Sequence, residues 1–544
     1  MRVGCLSRRS AIAAVVFGLL VAAVPGSMTA TAAPPPDGSD EQVTPATERL
    51  GPPTRDGREL LNLRTRSSRT YLQRDGTRLR VISAAPVNFR NANGEWQPID
   101  NRLRASSAVG YAHENTANSY DLLLPADVGA RPVRVQVDGA WVSYALDGAR
   151  GSGSVAGNAK TYQGVLPATD LRLSAHADGV KEDLILRTAR APESFSYTLE
   201  TSTGISARAN EDGGVDFIDA AGKKKFGFAA PYAEDSSGTA AGRSNLRYGL
   251  TRVGSRYALT LALDRAWLQS RTREWPVVVD PSFTLVGPRK DCFITGGSSA
   301  STSFCGGTVL NVGWDGTKAS RALLHFPVEE SMDSGGRGSI ILNAELRLFP
   351  SSRTTTNTAT LTAHRVTNDW YTDATWNNRD GSIPWTTPGG DFEAPSAAKL
   401  ASAGGSLGWQ SWYPTNLVQD WTEGSATNYG VLIKQENENV NNVLSFASKN
   451  DPSWNLPELR VSYHWRSGLR PFYTLESEQL SDRHAIHVNP TSGNLVVEAS
   501  DLQIAGTGLD LSVGRFYNSL SAAVNDFGGR EFGSSWILGT GVDV

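Results

Sequence analysis

The sequence predicts a mostly β protein. Several antiparallel β-sandwich domains are expected, one of them a jelly roll, with a truncated β-rich unit at the C-terminal end. Apolar residues alternate with polar ones in short segments, as Val133 and Val135 do, which is the period of a strand with one buried face. Turn dipeptides such as Asp138-Gly139 recur between these segments, whereas helical spacing of apolar residues is scarce. A chain of 544 residues also exceeds one ordinary core, so we expect several domains.

The N-terminus has the pattern of a secretory signal peptide over residues 1–33. Arg2, Arg8 and Arg9 precede an apolar run at residues 11–24, and small residues follow at 30–33. The run is shorter than the ~20 residues that a membrane-spanning helix needs. We therefore expect a secreted protein without a transmembrane segment, extracellular or associated with the cell wall. The export route, general or twin-arginine, stays open.

The mature chain begins with a polar segment and continues into strand patterns. Residues 34–56 are rich in Pro, Gly, Asp and Thr and predict a disordered leader. Residues 57–284 alternate with period two and predict a β-rich N-terminal domain of one or two sandwiches. Pro281 ends its last strand, because proline cannot donate to a sheet ladder.

A change of composition marks a second β unit at residues 288–465. Strand-sized segments of about five to eight residues are separated by Gly, Asn, Asp and Pro, which is typical of a two-sheet jelly roll. Most of the fourteen tryptophans of the chain lie here. They are Trp314, Trp370, Trp376, Trp385, Trp409, Trp412, Trp421, Trp454 and Trp465.

Two cysteines remain after removal of the signal peptide, Cys292 and Cys305. An even pair around a short Gly/Ser-rich stretch in an exported protein predicts one disulfide, which restricts the unfolded chain by ~3 kcal/mol. A metal site or a reactive thiol is the alternative, but neither a histidine nor a second cysteine pair is near in the sequence.

Tryptophan is the residue type on which a sugar-binding prediction rests, since a flat indole can stack on the apolar face of a sugar ring. Trp314, Trp385 and Trp409 lie in Gly/Pro/Asp-rich contexts and are the candidate carbohydrate-binding residues. Trp370, Trp376 and Trp421 lie within strand motifs, for which packing in the core is the prediction.

Motifs of catalysis are weak. Ser406 satisfies the G-x-S-x-G spacing, but its small-residue context lacks the strand and helix of a nucleophile elbow. The seven histidines have no metal-ligand spacing. We therefore predict a non-catalytic protein without a cofactor or metal centre, although a structural calcium is possible. The net charge of -3 gives no basic surface for nucleic acid, so none is expected as a partner.

The second β unit resembles a known family. The segments TVLNVGWDGTKASRALLHFPV, NAELRLFP, AHRVTNDWYTDATWNN and WYPTNLVQDWTEGSATNYGVLIKQ, closed by PELRVSYHW, are similar to the DNRLRE-type domain, also classed as carbohydrate-binding module family 96. The resemblance implies a jelly roll found in secreted bacterial proteins, some of whose relatives bind acidic polysaccharides. It departs from the family at the cysteine pair and at Trp314, where a small or polar residue is usual.

The last segment resembles a second family. After a predicted linker at residues 466–481, residues 482–544 contain GNLV, GTGLDL, RFYNS and FGSSW, similar to the opening of Rhs/YD-repeat proteins. The resemblance implies the N-terminal part of an Rhs-type protein, cut short before the repeat shell and the C-terminal toxin of full-length relatives.

These features together predict a secreted, non-catalytic binding and display region of an Rhs-type protein, attached to polysaccharide or cell-wall glycan through its jelly roll. Two alternatives stay open. One is a purely structural spacer for an exported polymorphic toxin, and the other is a polysaccharide-degrading enzyme that uses the region of residues 57–284.

Overall fold

The computed structural model covers the protein in thirteen described ranges. These are residues 50–74, 77–237, 240–285, 290–332, 339–355, 357, 359–402, 408–451, 455–465, 474–490, 493–504, 511–519 and 536–539. All of them belong to one compact unit that begins at Pro45. The predicted signal peptide, residues 34–49 of the predicted leader, Ser406 and the first part of the predicted linker lie outside the described residues.

The described chain is mostly β, as predicted, and its strands pair antiparallel. The first elements are β1 (Leu50–Thr54), β2 (Gly57–Leu60), the 3₁₀ turn η1 (Leu61–Leu63), β3 (Ser68–Leu72), β4 (Arg78–Ser83), β5 (Asn88–Arg90) and β6 (Trp96–Pro98). Strands β1 to β4 follow one another in a sheet, and β5 pairs with β6 in a separate hairpin.

A two-layer sandwich follows. Its elements are β7 (Asp100–Ala105), β8 (His113–Ala117), β9 (Asp121–Leu124), β10 (Val133–Val137), β11 (Ala140–Leu146), β12 (Gly153–Ala156), β13 (Ala159–Leu166), β14 (Thr169–His176), β15 (Gly179–Leu186), β16 (Ser194–Thr201), β17 (Ser206–Ala209), β18 (Val215–Ile218), β19 (Lys224–Phe228), β20 (Tyr232–Glu234), η2 (Ala240–Gly242), β21 (Arg243–Asn245), β22 (Tyr248–Val253), β23 (Arg256–Ala262), α1 (Arg265–Leu268), β24 (Val277–Asp280) and β25 (Phe283–Leu285).

The two layers of this sandwich enclose one apolar core. The first sheet has the order β22-β23-β16-β11-β10-β9-β8-β7, and the second contains the remaining strands, with β15 at the junction of β14, β24 and β25. Leu122, Val135 and Leu199 pack from the first sheet against Leu173 and Leu184 of the second. The alternation of apolar and polar residues in the sequence therefore corresponds to strands that bury one face of their side chains in the core.

The hairpin between β10 and β11 shows why its turn needs these residues. Val137 pairs with Ala140 across a two-residue loop. Asp138 and Gly139 take φ of 48° and 80°, the left-handed conformation that such a turn requires. Aspartate and glycine adopt it at low cost, so the predicted Asp-Gly hairpin forms as expected.

A second sandwich corresponds to the predicted jelly roll. Its elements are β26 (Asp291–Thr295), η3 (Gly297–Ser299), β27 (Val309–Trp314), β28 (Ala319–Leu324), α2 (Val328–Ser331), β29 (Ser339–Leu348), β30 (Pro350–Arg353), β31 (Ala359–Arg365), β32 (Asn378–Asp380), β33 (Ile383–Pro384), β34 (Ala398–Ser402), β35 (Gln410–Trp412), α3 (Thr415–Glu423), β36 (Val431–Gln435), β37 (Asn442–Ala447) and β38 (Glu458–Trp465). We call residues 290–465 the module.

One sheet of the module contains strands from the far N-terminal end. Its order is β1-β2-β3-β4-β38-β29-β35, and the facing sheet has the order β30-β37-β27-β28-β36-β31-β34 with β26 beside β28. Leu459 pairs with Ile82, which is fully buried in the module core together with Leu346 and Phe446. From the sequence, residues 57–83 are expected in the N-terminal domain. In the structure, the strands of this segment instead belong to a sheet of the module, where β4 pairs with β38.

The last sheet has five strands. They are β39 (Glu476–Ser481), β40 (His484–Asn489), β41 (Asn494–Ile504), β42 (Leu511–Asn518) and β43 (Trp536–Gly539), paired in that order. No helix in the part of the chain that the structure describes has the length and apolarity to cross a membrane.

Candidate functional site

A groove on the module is the candidate site. It measures about 520 Å³ and is open to solvent. Two half-buried indoles line it together with lysine, threonine, asparagine and glutamate side chains. The residues around it are Gly296, Gly297, Trp314, Thr317, Lys318, Ala319, Trp376, Glu436, Asn437, Glu438 and Asn439.

The first indole, Trp314, ends strand β27 and leads into a tight turn. The Asp315 carboxylate accepts hydrogen bonds from the backbone N–H of Thr317 at 2.8 Å and of Lys318 at 2.9 Å. Burial raises the pKa of Asp315, but these hydrogen bonds outweigh it and hold the pKa below its usual value. The turn is therefore fixed by a charged carboxylate at neutral pH, and it positions both Trp314 and Lys318 at the groove.

The second indole, Trp376, is held by a cation on one face. The Arg321 guanidinium carbon lies 4.6 Å from the centre of the Trp376 ring system. Arg321 is itself fixed by two hydrogen bonds to the Glu438 carboxylate, at 2.8 and 2.7 Å, and by one of 2.7 Å to the Gly389 carbonyl. Such a bidentate pair locks the orientation of the arginine and hence of the indole.

Glycine at position 389 allows this close approach. Gly389 has φ of 97°, a conformation that favours glycine, and a Cβ there would lie 2.7 Å from a carbon of the Trp376 ring. Any side chain would push the indole away from its place beside Arg321.

Each charged side chain of the groove has a polar partner outside the groove lining. Lys318 Nζ donates to Ser299 Oγ at 3.0 Å, and the Glu436 carboxylate pairs with Lys399. Glu438 pairs with Arg321. The arrangement therefore offers flat apolar faces and fixed hydrogen-bonding groups, which suits a neutral or weakly acidic hydroxyl-rich ligand.

The structure places the three predicted tryptophans in different surroundings. Trp314 lines the groove. Trp409 lies elsewhere on the module, where its ring packs edge-on against Phe349 at 5.4 Å and under the Arg347 guanidinium at 4.5 Å. Trp385 is 3% exposed, and its indole N–H donates to the Thr375 carbonyl at 2.9 Å. The Trp385 ring thus has no face open to a sugar.

Trp376 is the groove residue that sequence reasoning placed in the core. It shares the motif of Trp370, which is fully buried, so the two looked alike in sequence. The adjacent Asn377 and Asn378 are the one local signal of a surface position, since asparagine is mostly exposed in folded proteins.

Cys292 and Cys305 form a disulfide in the module. Cys292 lies on β26, and its Cα is 4.3 Å from that of Cys305 in a disulfide. The pair belongs to a small buried cluster with Ile294, Trp370 and Trp385. Trp376 packs against the same cluster, so the disulfide lies close to this groove residue. Within the described ranges, no three His, Cys, Asp or Glu side chains are grouped to hold a metal ion.

Fold and groove define a β-sandwich protein with an indole-lined surface site. Residues 282–463 match the family described as carbohydrate-binding module family 96, which indicates carbohydrate binding by the module. Residues 486–542 match a domain of unknown function, DUF6531. Both matches fall on the segments for which the sequence shows a family resemblance.

The curated relatives carry the name WapA. The chain is 24% identical over 441 residues to the tRNA nuclease WapA of Bacillus subtilis, covering 76% of this chain and 18% of that protein. It is 24% identical over 439 residues to the tRNA3(Ser)-specific nuclease WapA of Bacillus spizizenii, with the same coverage. The chain therefore spans less than a fifth of the length of these relatives.

These names correct two predictions. The prediction of a non-catalytic protein is contradicted, because the relatives are named as tRNA nucleases. The same names weakly contradict the exclusion of nucleic acid as a partner. Both predictions rested on motif spacing and net charge, and neither property reports on a nuclease whose residues meet only in the fold.

Proposed function

We propose that the module binds a polysaccharide or cell-wall glycan in the groove between Trp314 and Trp376, as part of an exported Rhs-type protein. The observation that carries this proposal is the pair of half-buried indoles that line one open groove, within the segment that matches the carbohydrate-binding module family. Stacking of sugar rings on the indoles supplies affinity, and Lys318, Asn437 and Asn439 reach the hydroxyl or carboxylate groups.

Retention of the full-length protein on immobilised polysaccharides tests this proposal. We expect the wild type to be retained by at least one cell-wall or acidic polysaccharide. Trp314→Ala and Trp376→Ala should each weaken retention, because each removes one stacking face. Trp96→Ala is the matched control, since Trp96 is also half-buried and also stacks with an arginine, Arg90, at 4.6 Å, but lies outside the module.

The outcomes are distinct. Loss of retention in the two groove variants but not in Trp96→Ala supports binding in the groove. Equal retention of all variants, or no retention of the wild type by any polysaccharide tested, contradicts it. Circular dichroism of each variant shows whether the fold is intact.

Cleavage of tRNA is the second candidate, favoured by the names of the relatives that align with 76% of this chain. Incubation of purified protein with total tRNA and with single tRNA species tests it directly. Discrete fragments that depend on protein concentration would support nuclease activity in this chain, and intact tRNA under all conditions would contradict it.

A further inference from the structure

Three charged side chains meet on the outer face of the N-terminal sandwich, far in sequence from the module groove. Lys181 and Asp183 lie on β15, and Asp280 ends β24. Leu184 pairs with Val279 between these strands, so the next positions bring Asp183 beside Asp280. Because side chains alternate along a strand, Lys181 and Asp183 share the face opposite to the core residue Leu184.

The lysine amine contacts both carboxylates. Lys181 Nζ donates to Asp280 Oδ2 and lies 2.9 Å from Asp183 Oδ1. Among the described residues, Asp183 Oδ1 has no aligned hydrogen bond, and the Lys181 amine is its ion-pair partner. The side chains are 16%, 12% and 5% exposed for Lys181, Asp183 and Asp280. The ring of Tyr232 covers them, with its centre 5.9 Å from the amine.

The orientation of Asp280 is fixed from the other side. Both the backbone N–H and the hydroxyl of Ser282 donate to Asp280 Oδ1, the N–H at 3.0 Å. Oδ1 is therefore held by Ser282 while Oδ2 faces the amine. The carboxyl carbon is presented to Lys181 in one orientation, which is the requirement for reaction between two bound groups.

Burial and charge pairing set the resting protonation of the three groups. Burial raises the pKa of Asp183, despite the opposing charge of Lys181, so this carboxyl keeps its proton to higher pH than an exposed aspartate. Burial lowers the pKa of Lys181, but Asp280 outweighs it and holds the pKa well above its usual value. The resting pair is thus ionic, and a proton must pass from the ammonium to the Asp280 carboxylate before the two groups can react.

Surface lysine pairs of the same sandwich lack these features. Lys224 pairs with Asp216 at 2.6 Å, but the two side chains are 41% and 26% exposed. Such a pair is solvated, and water competes for both groups.

We propose that Lys181 and Asp280 condense into an intramolecular isopeptide bond, with Asp183 transferring the proton. One proton first moves from the Lys181 ammonium to the Asp280 carboxylate, which gives a neutral amine and a carboxylic acid. The amine nitrogen attacks Cγ of Asp280, and the carboxyl of Asp183 passes a proton from the nitrogen to the leaving hydroxyl. A C–N bond forms, a C–O bond breaks, and one water leaves; nothing is oxidised or reduced.

The bond would tie β15 to β24, strands that are separated by about a hundred residues of chain but lie side by side in one sheet. It would join the middle of the sandwich to β24, which is followed in the chain by β25 and then by the module. A covalent link at this position resists forced separation of the two, which is of use to a protein attached to a surface. Lys181, Asp183 and Asp280 lie outside the groove, so formation of the bond does not depend on glycan binding.

Mass spectrometry of the full chain tests the proposal. We expect the wild type, after allowance for the disulfide, to be lighter than its sequence by one water. A tryptic digest should contain a branched peptide that joins residues 173–187 to residues 274–289. Recovery of these two segments only as separate peptides, with the full intact mass, would overturn the proposal.

Variants assign the roles. Lys181→Arg keeps the positive charge but cannot condense, and Asp280→Ala removes the acceptor, so both should have the full mass of their sequences. Lys224→Arg is the control and should keep the loss of one water. Asp183→Ala should prevent or greatly slow the condensation; a complete branched peptide in that variant would overturn the role of Asp183 in proton transfer.

Discussion

At the scale of single residues, Glu182 shows how a buried carboxyl links stability to pH. Glu182 is 1% exposed and accepts a hydrogen bond of 2.8 Å from the Tyr197 hydroxyl inside the N-terminal sandwich. Burial is the main cause that raises the pKa of Glu182 to about 8. The folded protein therefore holds a proton on this carboxyl at neutral pH, which the unfolded chain releases.

The sign of the resulting pH dependence follows from linkage. Because the pKa of Glu182 is higher in the folded state, its contribution to stability is full below the ordinary pKa of 4.5 and is lost as the pH rises to about 8. We expect the free energy of unfolding to fall over this window with a slope of up to about 1.4 kcal/mol per pH unit from this group.

Glu182→Gln tests this prediction, since glutamine keeps the oxygen that accepts from Tyr197 but does not titrate. The free energy of unfolding of Glu182→Gln, minus that of the wild type, should rise steadily from pH 4.5 to pH 8. Chemical denaturation of both proteins at a series of pH values measures the difference. A difference that stays constant over the window contradicts the assignment.

The tryptophans show how far the local sequence predicts whether a side chain is exposed or buried. Sequence context suggested a surface position for Trp314, which lies at the groove, but the same reasoning suggested one for Trp385, which is 3% exposed. Loop composition reports on local backbone, whereas burial depends on what packs from distant strands. Trp376 lies beside Arg321, and Arg321 is held in turn by Gly389 and Glu438 from two further segments of the chain.

At the scale of elements, the pairing of β4 with β38 links the N-terminal strands to the module. Arg80 pairs with Val461 and Ile82 with Leu459. The side chain of Ile82 enters the module core, while Val81 points to the opposite face of the sheet. The module thus depends on a segment that precedes the first sandwich.

Two matched substitutions measure this dependence. Ile82→Ala should destabilise the module by ~2–5 kcal/mol, because it leaves a cavity in a packed core. Val81→Ala, one residue away on the other face, should change stability by less than about 1 kcal/mol. Urea unfolding followed by tryptophan fluorescence reports mainly on the module, where most tryptophans lie. Equal effects of the two substitutions would contradict the pairing.

Local elements were predictable from sequence and their long-range partners were not. The Asp138-Gly139 hairpin followed from turn chemistry alone, because both strands and the turn lie within a dozen residues. The partner of β4 lies almost four hundred residues away, and any amphipathic edge strand offers the same period-two pattern. The sequence therefore predicted that the chain is mostly β, but it did not predict which strands belong to which sandwich.

At the scale of the whole described unit, the two sandwiches are joined by more than a linker. Lys449 of the module donates to Asp178 of the first sandwich at 2.9 Å. Within the module, the backbone N–H of Lys449 donates to Asp291 at 2.5 Å, which fixes the segment that carries this lysine. Ala85, Ala177 and Leu456 pack together at the same junction. The ion pair and the apolar contact therefore fix the module against the first sandwich.

The central claim is that Trp314 and Trp376 bind sugar rings in the module groove. Isothermal titration of the full-length protein with a polysaccharide that retains it tests this most directly. We predict a saturable affinity that weakens about tenfold, or about 1.4 kcal/mol, for Trp314→Ala and for Trp376→Ala, and further for the double variant. Wild-type affinity in a folded double variant would contradict the claim.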